Sequence, residues 1–298
     1  MDHLVEKYLS QYSEVRSGKT VEFKRCALSW LEGLRDMTRG EVFELYGRMR
    51  QRVRHSTALA YLEEIRRFYE FLRREGYGLE FDLRALREVR SKREHERHRK
   101  YFTEEEVRRI FDCLRGIDCG AKHPVYYLLC VVLLSSGLRL SEALSLKKES
   151  FFTRQVVGKD GQKKELLLVR VQGKFAKSRE VPFYFFFDGH RQLILRRLSE
   201  LKQDQPFFIY QLVYPNQKKK ELVLSRASAL KLFQEIEKSL GFPINAHRFR
   251  YTYATWLATK GVPMPLLQDI LGHSSPRTTL GIYAQAQKER LLEVFSEL

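Results

Sequence analysis

A stretch of alternating apolar and polar residues, 154–183, stands out in a chain whose other ordered segments carry helical periodicity. It is rich in Val and Leu, with turn signals at Lys159-Asp160-Gly161 and again at Gly173. Alternation with period two, interrupted by short turns, predicts three antiparallel strands rather than a helix. One small sheet among helices restricts the fold class to mainly α with a small antiparallel β-sheet. After this sheet we expect helices to the end of the chain.

The helices before the sheet have recognisable patterns and ends. Residues 57–73 carry apolar side chains at intervals of three and four, which predicts an amphipathic helix. Thr103 and Glu106 have the spacing of a capping box, so we expect a helix to begin there. The segment 124–135 is strongly apolar, which indicates a buried helix.

A basic segment, residues 84–100, separates two differently patterned regions. It holds eight Lys or Arg, few apolar residues and no Gly or Pro. This composition predicts an interdomain linker that is helical in part. We therefore expect a helical N-terminal domain over 1–98 and a mixed α/β domain over 101–298.

The net charge is +17, and the excess is present in both halves, +6 up to residue 100 and +11 beyond it. This distribution indicates a polyanionic partner, most simply nucleic acid; the alternative is a soluble protein that is merely basic. Arg48, Arg50, Arg52 and Arg54 alternate along the chain and would form like-charged i,i+4 pairs on a helix. We expect them to contact DNA phosphates, and a solvated charged face is the alternative.

Several classes of protein are disfavoured by what the sequence lacks. The four cysteines have neither CxxC spacing nor a neighbouring His at zinc-ligand spacing, so we expect reduced thiols and no metal. No phosphate-binding glycine loop occurs, and we expect no cofactor. The N-terminus lacks a hydrophobic signal region, and the longest apolar run, 126–134, is too short to span a bilayer. We therefore expect a cytoplasmic protein without a membrane partner.

Residues that could carry chemistry are scattered along the second half of the chain. Asn245 can cap a helix over 246–260, on which His247 and Arg250 share one face. The other candidates are Arg139 with Glu142 three residues later, Lys174 in the second predicted turn, His273 just after a helix predicted over 264–271, and Tyr283. Taken singly, each has an ordinary structural explanation: a surface ion pair, a solvated turn residue or a packed ring.

The order of these motifs along the chain is more informative than any one of them. GLRLSE at 137–142, GK at 173–174, HRFR at 247–250, LGHSS at 271–275 and then Tyr283 resemble the tyrosine recombinase family of phage integrases and Xer-type proteins. The resemblance covers roughly residues 103–285. It is weaker over the N-terminal half, where the family has a helical core-binding domain and TALAYLEEIRRFYEFL is similar to one of its helices.

The resemblance implies a role for each candidate. Cleaving a phosphodiester without a metal requires a nucleophile, neutralisation of charge on the phosphoryl oxygens and a proton donor for the leaving oxygen. The implied roles are Tyr283 as nucleophile forming a 3′-phosphotyrosine, His247 as general base, Arg139 and Arg250 as ligands of the non-bridging oxygens, His273 as a further phosphate donor, Lys174 as proton donor to the 5′ oxygen, and Glu142 as an orienting residue behind them. Lys177 and Arg179, close to Lys174 in sequence, are expected to contact DNA.

The function implied is site-specific strand exchange on double-stranded DNA that carries a specific recombination site. The family resemblance further implies a tetramer on DNA, composed of this chain alone or of this chain with a related recombinase. Residues 286–298 carry an apolar stripe, and we expect this C-terminal helix to dock into a neighbouring protomer; packing on its own domain is the alternative. Two further functions stay open, a relaxing topoisomerase of type IB and a DNA-binding regulator with the recombinase fold.

Overall fold

The computed structural model describes residues 1–13, 18–91, 101–117, 125–158, 161–172, 178–213, 219–272, 279–284 and 286–287. The chain divides into two compact units, Met1–Glu96 and Arg97–Leu298, each with its own hydrophobic core. Helices predominate and the strands form small antiparallel sheets, which confirms the predicted fold class. None of the helices in this part of the chain is long and apolar enough to cross a membrane.

The first unit is a bundle of helices built around the amphipathic segment identified in the sequence. Its helices are α1 (Asp2–Ser13), α2 (Gly18–Leu28), α3 (Arg39–Arg50), α4 (His55–Arg74) and α5 (Leu83–Ser91). α4 contacts each of the other four, and its stripe of apolar side chains, including Leu62, Ile65 and Phe68, is buried. The helix predicted over 57–73 is confirmed.

The second unit combines helices with two antiparallel sheets. Its elements are α6 (Glu104–Ile117), α7 (Val125–Ser136), α8 (Leu140–Leu144), β1 (Phe151–Val157), β2 (Lys163–Gln172), β3 (Ser178–Pro182), α9 (His190–Glu200), β4 (Ile209–Val213), β5 (Lys219–Val223), α10 (Arg226–Leu240), α11 (Ala246–Thr259) and α12 (Met264–Leu271). Residues 279–284 are also helical. The helix starts predicted at Thr103 and Asn245 are confirmed, since both residues make the expected capping hydrogen bonds.

The three predicted strands pair in the order β1-β2-β3, with Phe151 opposite Val169 and Leu168 opposite Pro182. The prediction that the chain is helical beyond this sheet was wrong, because β4 and β5 form a second hairpin. Residues 207–213 (FFIYQLV) carry strand-forming side chains, and a Pro-Asn pair follows at 215–216. That local signal was present but short, and the surrounding helical periodicity obscured it.

The central helix of the second unit's core is α7. Its residues from Leu128 to Ser136 are all buried, and α11 packs against this helix. Arg248 on α11 is a structural residue of this core. Its guanidinium lies 4.2 Å from the centre of the Phe102 ring and donates to the carbonyls of Tyr101 and Pro243. Of the two arginines in HRFR, this one therefore anchors the start of the unit to α11.

At Gly137, between α7 and α8, the backbone lies very close to the side chain of another residue. Its φ is +61°, and a Cβ there would overlap the ring of Tyr253, with ring atoms Cγ and Cε1 at 3.1 Å. Tyr253 is fully buried and donates to the carbonyl of Pro182, so the ring has little freedom to move away. Only glycine fits this position without strain.

We predict that Gly137→Ala destabilises the protein by more than a backbone penalty alone. Gly261→Ala is the matched control, because Gly261 has a φ of +84° but no atom near its absent Cβ. The control should lower the free energy of unfolding by about 1–2 kcal/mol, and Gly137→Ala by about 1–3 kcal/mol more because of overpacking. Urea unfolding of both variants measures the difference; equal losses would contradict the steric argument.

Candidate active site

The Arg139–Glu142 pair predicted from the sequence is formed at the start of α8. The Glu142 side chain accepts the Arg139 backbone N–H through Oε2 and the guanidinium Nη1 through Oε1, both at 2.8 Å. Burial raises the pKa of the Glu142 carboxyl, but hydrogen bonds from Arg179 and Arg139 outweigh it and hold the pKa below the usual value. Glu142 is therefore ionised and binds two cations.

Arg250 lies on α11, in the first turns after the Asn245 cap, and its side chain points into the protein. Its Nη1 donates to the carbonyl of Gly137 at 2.8 Å, and its Nη2 donates to the carbonyl of Leu271. The residue is 4% exposed. Burial, followed by the positive charge of Arg139, lowers the pKa of Arg250 to about 9, so the side chain still carries its proton at neutral pH.

The C-terminal end of α12 brings these arginines together. Three consecutive carbonyls accept guanidinium groups: Ile270 from Arg179 Nε at 2.9 Å, Leu271 from Arg250, and Gly272 from Arg139 Nη2 at 2.8 Å. The last carbonyls of a helix have no partner within the helix and form its negative end. They therefore suit a cluster of cations drawn from other elements.

His247 is exposed at the start of α11, one turn before Arg250. Protein atoms exclude part of the water around its ring and, together with the positive charges of Arg250, Arg139 and Arg226, lower the pKa of His247. The imidazole is thus neutral at pH 7 and able to accept a proton. The sequence did not predict a role for Arg226, the first residue of α10. The local pattern at this position, a serine followed by an arginine, indicates no more than the start of a helix.

Tyr283 is separated from the arginines. Its hydroxyl donates to the carbonyl of Val262 at 2.9 Å, and its half-buried ring packs in an apolar cluster with Leu257 and Leu267. Val262 follows the C-terminal end of α11, and Arg250 lies nine residues before that end, about 13 Å along the helix at 1.5 Å per residue. Helical side chains lean towards the N-terminus, which carries the Arg250 guanidinium further from Val262.

Three of the predicted residues, Lys174, Lys177 and His273, lie outside the residues that the structure describes. The described chain holds no group of three His, Cys, Asp or Glu side chains arranged to bind a metal. In the second unit, the structure thus brings together Arg139, Glu142, Arg179, Arg250 and His247.

The four arginines of the first unit are not arranged as predicted. α3 ends at Arg50 and α4 begins at His55, so the four do not share one helix, and the expected like-charged i,i+4 pairs are not formed. Arg48 pairs with Glu32, Arg50 donates to the carbonyl of Val53, and Arg52 lies 5.9 Å from the centre of the Trp30 ring. Arg54 is the exposed residue before α4. Their contact with DNA stays a prediction.

Comparison with known proteins gives matches over the whole chain. Residues 100–290 match the model of the phage integrase family. An Aquifex aeolicus (strain VF5) protein, described as a probable integrase/recombinase, is 37% identical over 314 residues, covering 100% of this chain and 99% of the relative. The tyrosine recombinase XerA of Pyrococcus furiosus is 28% identical over 195 residues, covering 65% of this chain and 60% of XerA.

A solved structure has a similar fold. It is the crystal structure of the XerH site-specific recombinase bound to palindromic difH substrate, a post-cleavage complex. The TM-score is 0.65 and the identity is 20%, with 98% of this chain and 83% of the XerH chain covered. At this identity the likeness concerns the fold.

We predict that Arg226→Gln raises the pKa of His247, because it removes one of the positive charges that disfavour the imidazolium. The imidazole of the wild type should titrate below the usual histidine value, and that of the variant at a higher pH. An NMR titration of the His247 ring signals, assigned with His247→Asn, measures both. Arg191→Gln, which removes a charge from an exposed pair with Glu165, is the control. An equal shift in the control would contradict the placement of Arg226 beside His247.

Proposed function

Because this chain belongs to the phage integrase family, the tyrosine recombinases, we propose that it is a site-specific recombinase that cleaves and rejoins DNA through a covalent 3′-phosphotyrosine intermediate. One observation carries the proposal. Arg139 and Arg250, far apart in sequence, meet at adjacent carbonyls of one helix end, with a neutral histidine one turn away.

The two arginines form a site suited to a phosphate. Arg139 lowers the pKa of Arg250, which means that the two like charges repel, and an anion between them would relieve that repulsion. A guanidinium has five N–H donors. In the part of the chain that the structure describes, carbonyls and Glu142 engage two of them in each residue, which leaves donors for non-bridging oxygens. The Arg139 side chain is 40% exposed, open to a ligand from solvent.

The chemical step then follows from the residues. The Tyr283 oxygen attacks phosphorus, a new P–O bond forms and the bond to the 5′ oxygen breaks. His247 accepts the tyrosine proton, and Lys174 donates a proton to the departing 5′ oxygen. Arg139, Arg250 and His273 stabilise the charge on the phosphoryl oxygens. The covalent link retains the energy of the phosphodiester, so attack by a new 5′ hydroxyl rejoins the strand without ATP.

Cleavage on this scheme requires a movement of the segment 279–284. Tyr283 donates to the Val262 carbonyl and its ring is packed beside Leu267, so the hydroxyl must leave that carbonyl to reach a phosphate held by Arg250. We propose that binding to the DNA site provides the free energy for this change.

The proposed partner is double-stranded DNA with a specific recombination site. The XerH structure of similar fold is a complex with a DNA substrate, which supports this partner. We further propose that 1–98 is a core-binding domain and 101–298 the catalytic domain, that four protomers assemble on two sites, and that residues 286–298 dock into a neighbouring protomer. The net charge of +17 favours the approach to DNA.

We predict that the wild type accumulates a covalent adduct on a nicked suicide substrate carrying its own site. Tyr283→Phe should bind the same DNA but form adduct at least about 10³-fold more slowly, because the attacking oxygen is removed and the ring is kept. Tyr184→Phe, at an exposed tyrosine of the same unit, should react like the wild type. Denaturing gels measure the adduct, and gel shifts measure binding.

The same experiment separates the alternatives. A wild type that binds its site tightly and forms no adduct would favour a DNA-binding regulator. Relaxation of supercoiled DNA without a requirement for two sites would favour a type IB topoisomerase.

We also predict that truncation after Gln287 weakens pairing of two DNA sites more than binding to one site. This end point leaves Ala286 in place, which is buried beside Ile282. The tail is expected to link protomers, so its loss should spare single-site affinity. Titration of DNA mobility shifts resolves single-site and paired complexes. Pairing equal to that of the full chain would rule out docking of the tail in a neighbour.

A further inference from the structure

Arg179 points into the second unit rather than towards solvent. It is the second residue of β3, which packs against α12, and its side chain is 15% exposed. The sequence had placed it with Lys177 among residues expected to contact DNA. The structure instead places its guanidinium against Glu142 and the end of α12.

The Arg179 guanidinium is bound on one side by α8 and on another by the end of α12. Its Nη1 and Nη2 bind the two oxygens of Glu142 at 3.1 and 2.8 Å, a bidentate pair. Its Nε donates to the carbonyl of Ile270 at 2.9 Å. The side chain therefore connects β3, α8 and the end of α12.

Glu142 is shared between this arginine and the proposed phosphate ligand. Each of its oxygens also accepts from Arg139, Oε1 from the guanidinium and Oε2 from the backbone N–H. A bidentate arginine fixes the plane of the carboxylate it binds. The orientation of Arg139 thus depends on a carboxylate whose orientation depends on Arg179.

Gly272 adds a second connection between the two arginines. A Cβ at Gly272 would lie 3.1 Å from Arg179 Cζ, so the guanidinium packs directly on this backbone. The Gly272 carbonyl in turn accepts Arg139 Nη2 at 2.8 Å. Arg179 consequently holds both of the groups that bind Arg139.

We propose that Arg179 is a positioning residue for Arg139: it fixes the Glu142 carboxylate and the last turn of α12 in the arrangement that aims Arg139 at a DNA phosphate. The inference rests on the proposed function, since it concerns the same site.

Arg170 offers a matched comparison. It lies on β2 of the same sheet, its side chain is 62% exposed, and it pairs with Glu180 at 3.0 Å. Arg170→Met and Arg179→Met remove the same charge and keep a similar length. Both substitutions therefore weaken the long-range attraction to DNA to a similar extent. A difference between their cleavage rates is then due to the contacts that the Arg179 guanidinium makes.

The experiment compares Arg179→Met, Arg179→Lys and Arg170→Met with the full-length wild type. Single-turnover cleavage of the suicide substrate should fall about 100-fold in Arg179→Met, as expected for a misplaced phosphate ligand. Its affinity for the DNA site should match that of Arg170→Met. Arg179→Lys keeps the charge without the bidentate geometry and should cleave at an intermediate rate. Thermal unfolding shows which variants are folded at the assay temperature.

The pH dependence distinguishes positioning from a general loss of stability. Glu142 faces Arg139 from α8, Arg179 from β3 and Arg250 from α11, and removing Arg179 raises the pKa of the carboxyl. The Glu142 carboxyl of Arg179→Met should therefore titrate at a higher pH than that of the wild type, and the same carboxyl in Arg170→Met should not. A ¹³C NMR titration of Glu142, assigned with Glu142→Gln, follows the same change in the free protein.

The outcomes are distinct. Loss of DNA affinity in Arg179→Met that equals its loss of cleavage would make Arg179 a DNA contact and overturn the proposal. So would cleavage equal to that of Arg170→Met, or a Glu142 titration unchanged by the substitution. A wild type that forms no adduct would end the proposed function, and the Glu142 titration would still decide whether Arg179 controls this carboxylate.

Discussion

The C-terminal end of α12 is the feature on which the site depends. Its last carbonyls cannot bond within the helix, and three of them in succession accept arginines from β3, α11 and the start of α8. These elements are brought together only in the folded unit. Without the helix end, the guanidinium groups would lose partners that offset the cost of taking a cation out of water.

The charges at this point do not cancel. Among the described residues, Arg139, Arg179 and Arg250 lie around the carboxylate of Glu142, and the carbonyl dipoles add only partial negative charge. An excess of positive charge that is already oriented requires little reorganisation when an anion binds, which is the condition for electrostatic stabilisation of a transition state. Arg248, two residues before Arg250, shows the contrast, because its charge lies over the Phe102 ring and against backbone carbonyls within the core.

Under the proposed function, the phosphate-binding arginines and the nucleophile Tyr283 are held by separate sets of contacts. The arginines are held by hydrogen bonds to backbone carbonyls and to Glu142, whereas the Tyr283 hydroxyl bonds the Val262 carbonyl near the other end of α12 and its ring packs in an apolar cluster. Under this scheme Tyr283, and not the arginines, must change its contacts before cleavage.

The sequence by itself determined what depends on neighbours along the chain: the caps at Thr103 and Asn245, the stripe of α4, the first three strands and the Arg139–Glu142 pair, all set by spacings of two to four residues. The resemblance of its motifs to one family added the grouping of Arg139, His247 and Arg250. Tertiary structure decided the rest. Whether Arg179 faces solvent or Glu142, and whether Tyr283 lies near Arg250 or Val262, depends on packing between elements distant in sequence. Local periodicity places a side chain on a face of its element, and only the packed fold decides what that face meets.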